Sequence, residues 1–142
     1  MKNITRKKHG CILIRVWHPN YELSYLSNIF LMISKREWIV GSQRTTPAGE
    51  LLTGTNRESY WCSESKFFYN YDEFLNIFSV LSKQIINVEH EIDNLIRTGG
   101  KVEFYIQLSG TVNTACIFIP SSLAIFGELG IVLSIEVFPE MN

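Results

Sequence analysis

The segment Lys101-Val-Glu-Phe-Tyr-Ile-Gln-Leu-Ser109, directly behind Gly99-Gly100, decides the fold. Val102, Phe104, Ile106 and Leu108 alternate with Glu103, Tyr105 and Gln107. Successive side chains of a strand point to opposite faces, so this alternation specifies a strand with one apolar face and one wet face. Upstream, Phe74, Ile77, Phe78, Leu81, Ile85, Val88, Ile92 and Leu95 keep the spacing of one helix face. Asp72 offers an acidic helix start and Gly99-Gly100 a C-terminal cap, so the spacing predicts one long helix between them. A long amphipathic helix feeding a half-apolar strand means a helix laid on a sheet.

Outward from this pair, residues 110–114 form a turn and residues 115–119 return as a hairpin partner of the strand. Ser121 caps a short helix that carries Leu123, Ile125, Phe126 and Leu129, weakened inside by Gly127 and ended by Gly130. Residues 131–138 make a last strand. Toward the N-terminus, residues 11–18 are β-branched and almost continuously apolar, which marks a central strand stopped by Pro19. Leu23, Leu26, Phe30 and Ile33 share a helical face, and residues 37–40 form a second short strand ending at Gly41. Residues 58–64 alternate Tyr60 and Cys62 against Ser59, Trp61 and Ser63, a strand with both faces partly covered. Residues 66–71 are aromatic and irregular.

The order β-α-β-β-α-β-β-α-β is that of an α+β fold. We expect a single domain over residues 1–142 with a mixed or mostly antiparallel sheet of five or six strands. Two main helices and one short helix cover it. Residues 1–8 read as a basic flexible tail, with Lys2, Arg6, Lys7 and Lys8.

Apolar residues make up 46% of the chain and charged residues 19%, which is globular composition and not that of a disordered tail. The longest apolar runs, at residues 29–33, 115–119 and 130–133, are too short to span a bilayer. The basic start lacks a following apolar region with a small-residue cleavage site, so no signal peptide is read and a cytoplasmic location is expected. Cys11, Cys62 and Cys116 are odd in number and widely spaced, which fits reduced core thiols. The net charge of −1 hides an asymmetry. Residues 1–57 hold nine Lys/Arg and three Asp/Glu (+6), and residues 58–142 hold four and eleven (−7). Such polarity can steer a charged partner, or is scattered surface solvation, because a folded chain interleaves its halves.

A loop-like stretch runs from Trp38 to Trp61 and carries Gly41, Pro47, Gly49 and Gly54. Glycine and proline mark a turn-rich loop of about a dozen residues, longer than most connections and closed at both ends by aromatic residues. It is built to present a surface. Arg44 and Arg57 are its arginines, either able to hold phosphate or carboxylate, while Glu58 can pair with Arg57 to pin the loop's end. Tyr60 and Trp61 are residue types enriched at interface anchors and equally suited to fixing the loop in the core. Glu89 and Asp93 lie one helical turn apart and offer negative charge to a basic partner, or a solvated helix face.

No catalytic constellation emerges. The glycines of residues 49–55 have phosphate-loop spacing, but Thr55 stands where the lysine is needed and Asn56 where Ser or Thr is needed. No Cys-x-x-Cys or His-x-x-x-His pair suggests zinc. The cysteines sit in strands without an activating context. The strands lack an aromatic-basic nucleic-acid signature, and the chain is not basic overall. No metal, cofactor, nucleic acid or membrane is therefore expected.

Trp38-x-x-Gly41, the Pro-Gly loop, Tyr60-Trp61, the long helix with Gly99-Gly100-Lys-Val-Glu-Phe, Asn113-Thr-Ala and Leu129-Gly-Ile-Val-Leu-Ser-Ile-Glu-Val together resemble bacterial domain-of-unknown-function family 4279. The resemblance covers residues 11–138. Thr-Ala follows Asn113 where that family often has a glycine-rich turn. Members look like small cytosolic single domains, and the resemblance implies an immunity protein encoded beside a polymorphic or contact-dependent toxin. It supplies no catalytic residues.

The leading expectation is thus a non-enzymatic protein that binds a cognate toxin, a nuclease by preference, and blocks its active site. Arg44, Arg57, Glu58, Tyr60, Trp61, Glu89 and Asp93 are the candidate partner-binding residues. A small-molecule or regulatory binding module is the alternative. An enzyme with an unrecognised site would show strongly perturbed ionisable groups clustered in a cleft.

Overall fold

A computed structural model describes residues 6–139. The elements run β1 (Gly10–His18), α1 (Leu26–Ile29), β2 (Ser34–Trp38), β3 (Gln43–Thr45), β4 (Leu51–Thr55), β5 (Ser59–Ser63), β6 (Lys66–Phe68), α2 (Tyr71–Asn87), α3 (Glu89–Arg97), β7 (Lys101–Ser109), α4 (Pro120–Leu129) and β8 (Val132–Phe138). The domain is α+β. Its main sheet has six strands in the order β2-β5-β1-β7-β8, with β6 also paired to β1. β1 pairs antiparallel with β5, β6 and β7, and β2 with β5. Only β7 and β8 run parallel among these strands, so the sheet is mixed and mostly antiparallel, as expected.

One face of the sheet carries the core. Ile12, Ile14 and Val16 of β1 and Val102, Phe104 and Ile106 of β7 meet Phe74, Phe78, Leu81 and Ile85 of α2. Ile92 and Leu95 of α3, Phe126 of α4 and Leu26 of α1 join the same cluster. Each such side chain removed from water contributes roughly 1.5–3 kcal/mol. The alternation read in residues 101–109 thus assigns the core face of β7 correctly.

Several boundaries differ from the sequence reading, each for a packing reason. The expected long helix is two, parted at Val88, whose φ of −120° and ψ of 28° leave the helical region. Ile85 and Ile92, on either side of the break, are both fully buried. The true N-cap is Asn70 and not Asp72: its side chain accepts from the Glu73 N–H at 2.9 Å, and Glu73 accepts from the Tyr69 N–H at 2.7 Å. These bonds satisfy donors that a helix start leaves unpaired. The helix expected around Leu23 and Ile33 is a single turn, α1. Leu31 then takes a φ of 54°, and Ile33 is left 71% exposed. Strand β2 accordingly begins earlier than expected, at Ser34. Lys66–Phe68 is a strand where irregular chain was expected, held by pairing to β1.

The expected hairpin partner at residues 115–119 is not a strand. Phe118 turns inward instead, 6.0 Å from Phe74 and 5.4 Å from Phe78, which takes the segment off the sheet edge. That edge goes to β8, in a seven-residue parallel register from Glu103↔Val132 to Ser109↔Phe138. Of the expected basic tail, residues 1–5 lie outside the described residues. Arg6 is not free: it pairs with Glu73 at 2.7 Å and lies 4.5 Å from the centre of the Tyr69 ring.

Candidate functional site

On the face away from the helices, β1, β5 and β7 place Leu13, Tyr60, Cys62 and Tyr105 in a second buried cluster, with Trp17 and Trp38 packed against it. Cross-strand register explains the grouping: Trp38 faces Tyr60, and Tyr60 faces Trp17. The Trp38 and Tyr60 rings stack at 4.3 Å, and Trp17 tilts over Tyr60 at 5.3 Å. Arg15 lies 3.9 Å from the centre of the Tyr105 ring and 5.1 Å from that of Trp17. Its guanidinium reaches Glu103 at 2.5 Å. Glu103 is only 3% exposed, and its other oxygen accepts from the Ser134 hydroxyl at 2.9 Å. Tyr105 donates its hydroxyl proton to Glu136. The face that alternation marks as wet is therefore largely covered by its own long side chains, which lie flat along it with their polar ends paired.

Ionisation follows this packing. Burial works against the Arg15 charge, but the hydrogen bond and charge of Glu103 outweigh it and raise the guanidinium pKa. Burial, reinforced by Cys62, pushes the Tyr60 phenol up. Burial also raises the thiols of Cys11 and Cys116, which keeps them protonated and poor nucleophiles. Among the described residues no group of three or more His, Cys, Asp and Glu is placed to hold a metal ion.

The long loop is not irregular. It folds back as a hairpin, β3 against β4, forming a two-stranded sheet of its own. Gly49 and Gly54 adopt φ of 90° and 87°, conformations that a Cβ disfavours. The turn closes through Thr46 N–H to Glu50 carbonyl at 2.8 Å and Gly49 N–H to Thr46 carbonyl at 2.9 Å. Every residue of both strands is exposed. The base is pinned by Gly41 N–H to Asn56 carbonyl and Asn56 N–H to Ser42 carbonyl, both 2.8 Å. Arg36 reaches across to the Thr45 carbonyl at 3.2 Å.

Two concavities flank this hairpin. A cleft of about 650 Å³ is lined by Trp38, Arg44, Arg57, Glu58 and the end of β4. A cavity of about 370 Å³ lies between Pro47 of the turn and the outer face of the sheet, with Arg15, Lys35, Arg36, Tyr60 and Tyr105 in its walls.

Of the residues singled out in the sequence, Arg44, Arg57 and Glu58 come together at the cleft. The Trp38 indole N–H donates to the Glu58 carbonyl at 3.1 Å, which fixes the rim. Tyr60 is buried between two tryptophans. Trp61 is a correction: it is 0% exposed, in ring contact with Phe30 at 5.5 Å, and its indole N–H donates to Ser27 Oγ at 3.0 Å. It anchors the strand in the core and offers nothing to a partner. Glu89 and Asp93 are exposed on α3, whose buried residues pack on the helix-covered face, and Asp93 pairs with Arg97 at 3.2 Å. The candidate residues thus fall on two separate surfaces.

Sequence reasoning missed Arg15, Lys35, Arg36 and Tyr105. The usable signal was Arg15 itself. A charge inside an apolar strand needs a buried partner, and Glu103 occupies the same face of the next alternating strand.

Compared with protein-family models, curated proteins and solved structures, the chain matches none. The resemblance to family 4279 rests on the sequence motifs alone. Among the described residues, no helix is long and apolar enough to cross a membrane.

Proposed function

We propose that this protein acts by binding, without bond-making chemistry, and that it neutralises a cognate bacterial toxin by covering that toxin's active site. The observation that carries the binding reading is the β3–β4 hairpin. It buries none of its strand residues, yet its base is tied down by a set of hydrogen bonds. An isolated two-stranded hairpin is marginally stable and an exposed strand edge invites unwanted pairing. A fold that keeps and anchors such an element has a surface to present. Leu51, 75% exposed on β4, offers that surface an apolar contact, and Arg44 and Arg57 give the cleft beside the hairpin a cationic rim. The toxin as partner is what the resemblance to family 4279 supports.

The cationic rim suits an acidic patch on the partner. A nuclease, whose nucleic-acid cleft is basic, would instead be met by α3, with Glu89, Glu91 and Asp93. The two forms of the proposal use different faces and separate by mutation. Co-expression with the product of the adjacent gene, read by growth and by co-purification, tests both. Rescue that is lost in Leu51→Glu with Arg57→Glu places the interface on the hairpin. Rescue lost in Glu89→Gln with Asp93→Asn places it on α3. Absence of both complex and rescue ends the proposal.

The alternative, a small-molecule or regulatory binding module, is favoured by a separate observation, the cavity beside Pro47.

A further inference from the structure

We infer that the cavity between the hairpin turn and the outer sheet face binds a small organic anion, a single ring carrying one carboxylate or phosphate. This inference rests on the alternative reading, the small-molecule binding module, and survives failure of the toxin proposal. The cavity, of about 370 Å³, is at the small end of the range in which proteins enclose ligands. Leu13, Pro47, Tyr60 and Tyr105 give it apolar and aromatic walls suited to a ring.

Its charge is unbalanced. Three cations, Arg15, Lys35 and Arg36, line the cavity. Glu103 answers Arg15. The other two meet neutral groups: Lys35 donates to Ser65 Oγ at 3.4 Å, and Arg36 donates to the Thr45 carbonyl at 3.2 Å and lies 4.9 Å from the centre of the Trp38 ring. Among the described residues neither forms an ion pair. Like charges around one small space repel, and an anion between them removes that repulsion. Arg36 presents a planar fork suited to a two-oxygen acid, and Lys35 a mobile point charge beside it. The Arg15–Glu103 pair, packed on Tyr105, fixes the position of Arg15 in the cavity wall. Pro47 bounds the cavity on the hairpin side. A volume of about 370 Å³ holds a single ring and not a run of stacked bases, which favours a small molecule over a nucleic-acid strand.

Calorimetric titration of the full chain with benzoate, phenyl phosphate, inorganic phosphate, benzyl alcohol and a short single-stranded oligonucleotide tests this. Saturable binding of benzoate or phenyl phosphate is expected, with inorganic phosphate and benzyl alcohol at least tenfold weaker because each lacks one half of the recognition. Lys35→Gln and Arg36→Gln should each weaken the aryl anion by roughly tenfold, the loss of one charge-assisted hydrogen bond. Both positions lie outside the core, and unchanged circular dichroism shows that the variants remain folded. The inference is overturned if no aryl anion binds saturably, or if inorganic phosphate binds as tightly as phenyl phosphate. It is equally overturned if the oligonucleotide outcompetes the small anions, or if both folded variants bind as the parent does.

Discussion

Arg15 of β1 and Glu103 of β7 face each other across the sheet and meet at 2.5 Å, the carboxylate almost wholly buried and the guanidinium about a quarter exposed. Burying two charges is costly, and the pair persists because each end has further partners. Glu103 accepts from Ser134, and Arg15 lies over Tyr105. Removing one member should therefore cost more than removing both. We expect Glu103→Ala to lower the unfolding free energy by about 2–4 kcal/mol, and Arg15→Met with Glu103→Leu to recover much of that loss. Chemical denaturation of the three proteins measures it. Equal destabilisation by the single and the double change would contradict the account.

His18 makes a pH prediction. Its Nδ1 accepts from the N–H groups of Asn20 and Tyr21 at 3.0 and 2.9 Å, so Nε2 carries the proton and donates to Thr98 Oγ1 at 2.8 Å. Protonating Nδ1 would break both backbone bonds, and burial already lowers the His18 pKa. A depressed folded pKa means that the unfolded chain takes up the proton more readily. The stability from neutral His18 is then full above the unfolded value of about 6.5 and is lost as pH falls from there through the folded value. Unfolding free energy measured from pH 7 down to pH 5 should fall, and His18→Asn should flatten the slope.

Two glycines should respond in opposite directions. Gly127 sits inside α4 with open space around its would-be Cβ. Gly127→Ala should raise stability by about 0.5–1 kcal/mol, because the unfolded chain loses freedom and helix propensity improves. At Gly100 a Cβ would stand 2.7 Å from the Leu95 carbonyl and 2.9 Å from the His18 ring. Gly100→Ala should destabilise by about 1–3 kcal/mol, because backbone must shift to admit it. Thermal melts of the two variants provide the comparison.

What the sequence disclosed follows the strength of the local signal. The period-two pattern of β7 and the helical spacing from Phe74 to Leu95 each repeat often enough to assign their core faces. The break at Val88 was hidden because Ile85 and Ile92 keep helical spacing across it. The strand expected at residues 115–119 failed because the burial of Phe118 among Phe74 and Phe78 is tertiary, and nothing local reports it. For the site, loop composition located Arg44, Arg57 and Glu58. It could not show that Trp61 points into the core while its neighbour Tyr60 points to the other face. That distinction depends on which face of β5 the helices cover. The cavity cations lie on β1 and β2, two strands that are not neighbours in the sheet, and their meeting is set by register alone.

The exposed side chains of β3 and β4 make no contribution to the core, so they can change without loss of fold. Leu51→Glu should shift stability by no more than about 0.5 kcal/mol, as expected of an exposed position away from special features. Where the hairpin is the interface, the same change should remove partner binding, since a charge placed at an apolar contact has no compensating group. A large loss of stability in that variant, measured by denaturation, would mean that the hairpin is structural and not presented for recognition.

The most direct test of the proposal that this protein works by surface complementarity is growth of cells co-expressing it with the product of the adjacent gene. The account predicts that the parent protein restores growth and co-purifies with that product. It also predicts that a folded variant altered on one surface, the hairpin or α3, does neither. Toxicity unrelieved by the parent protein, with no complex recovered, would contradict it.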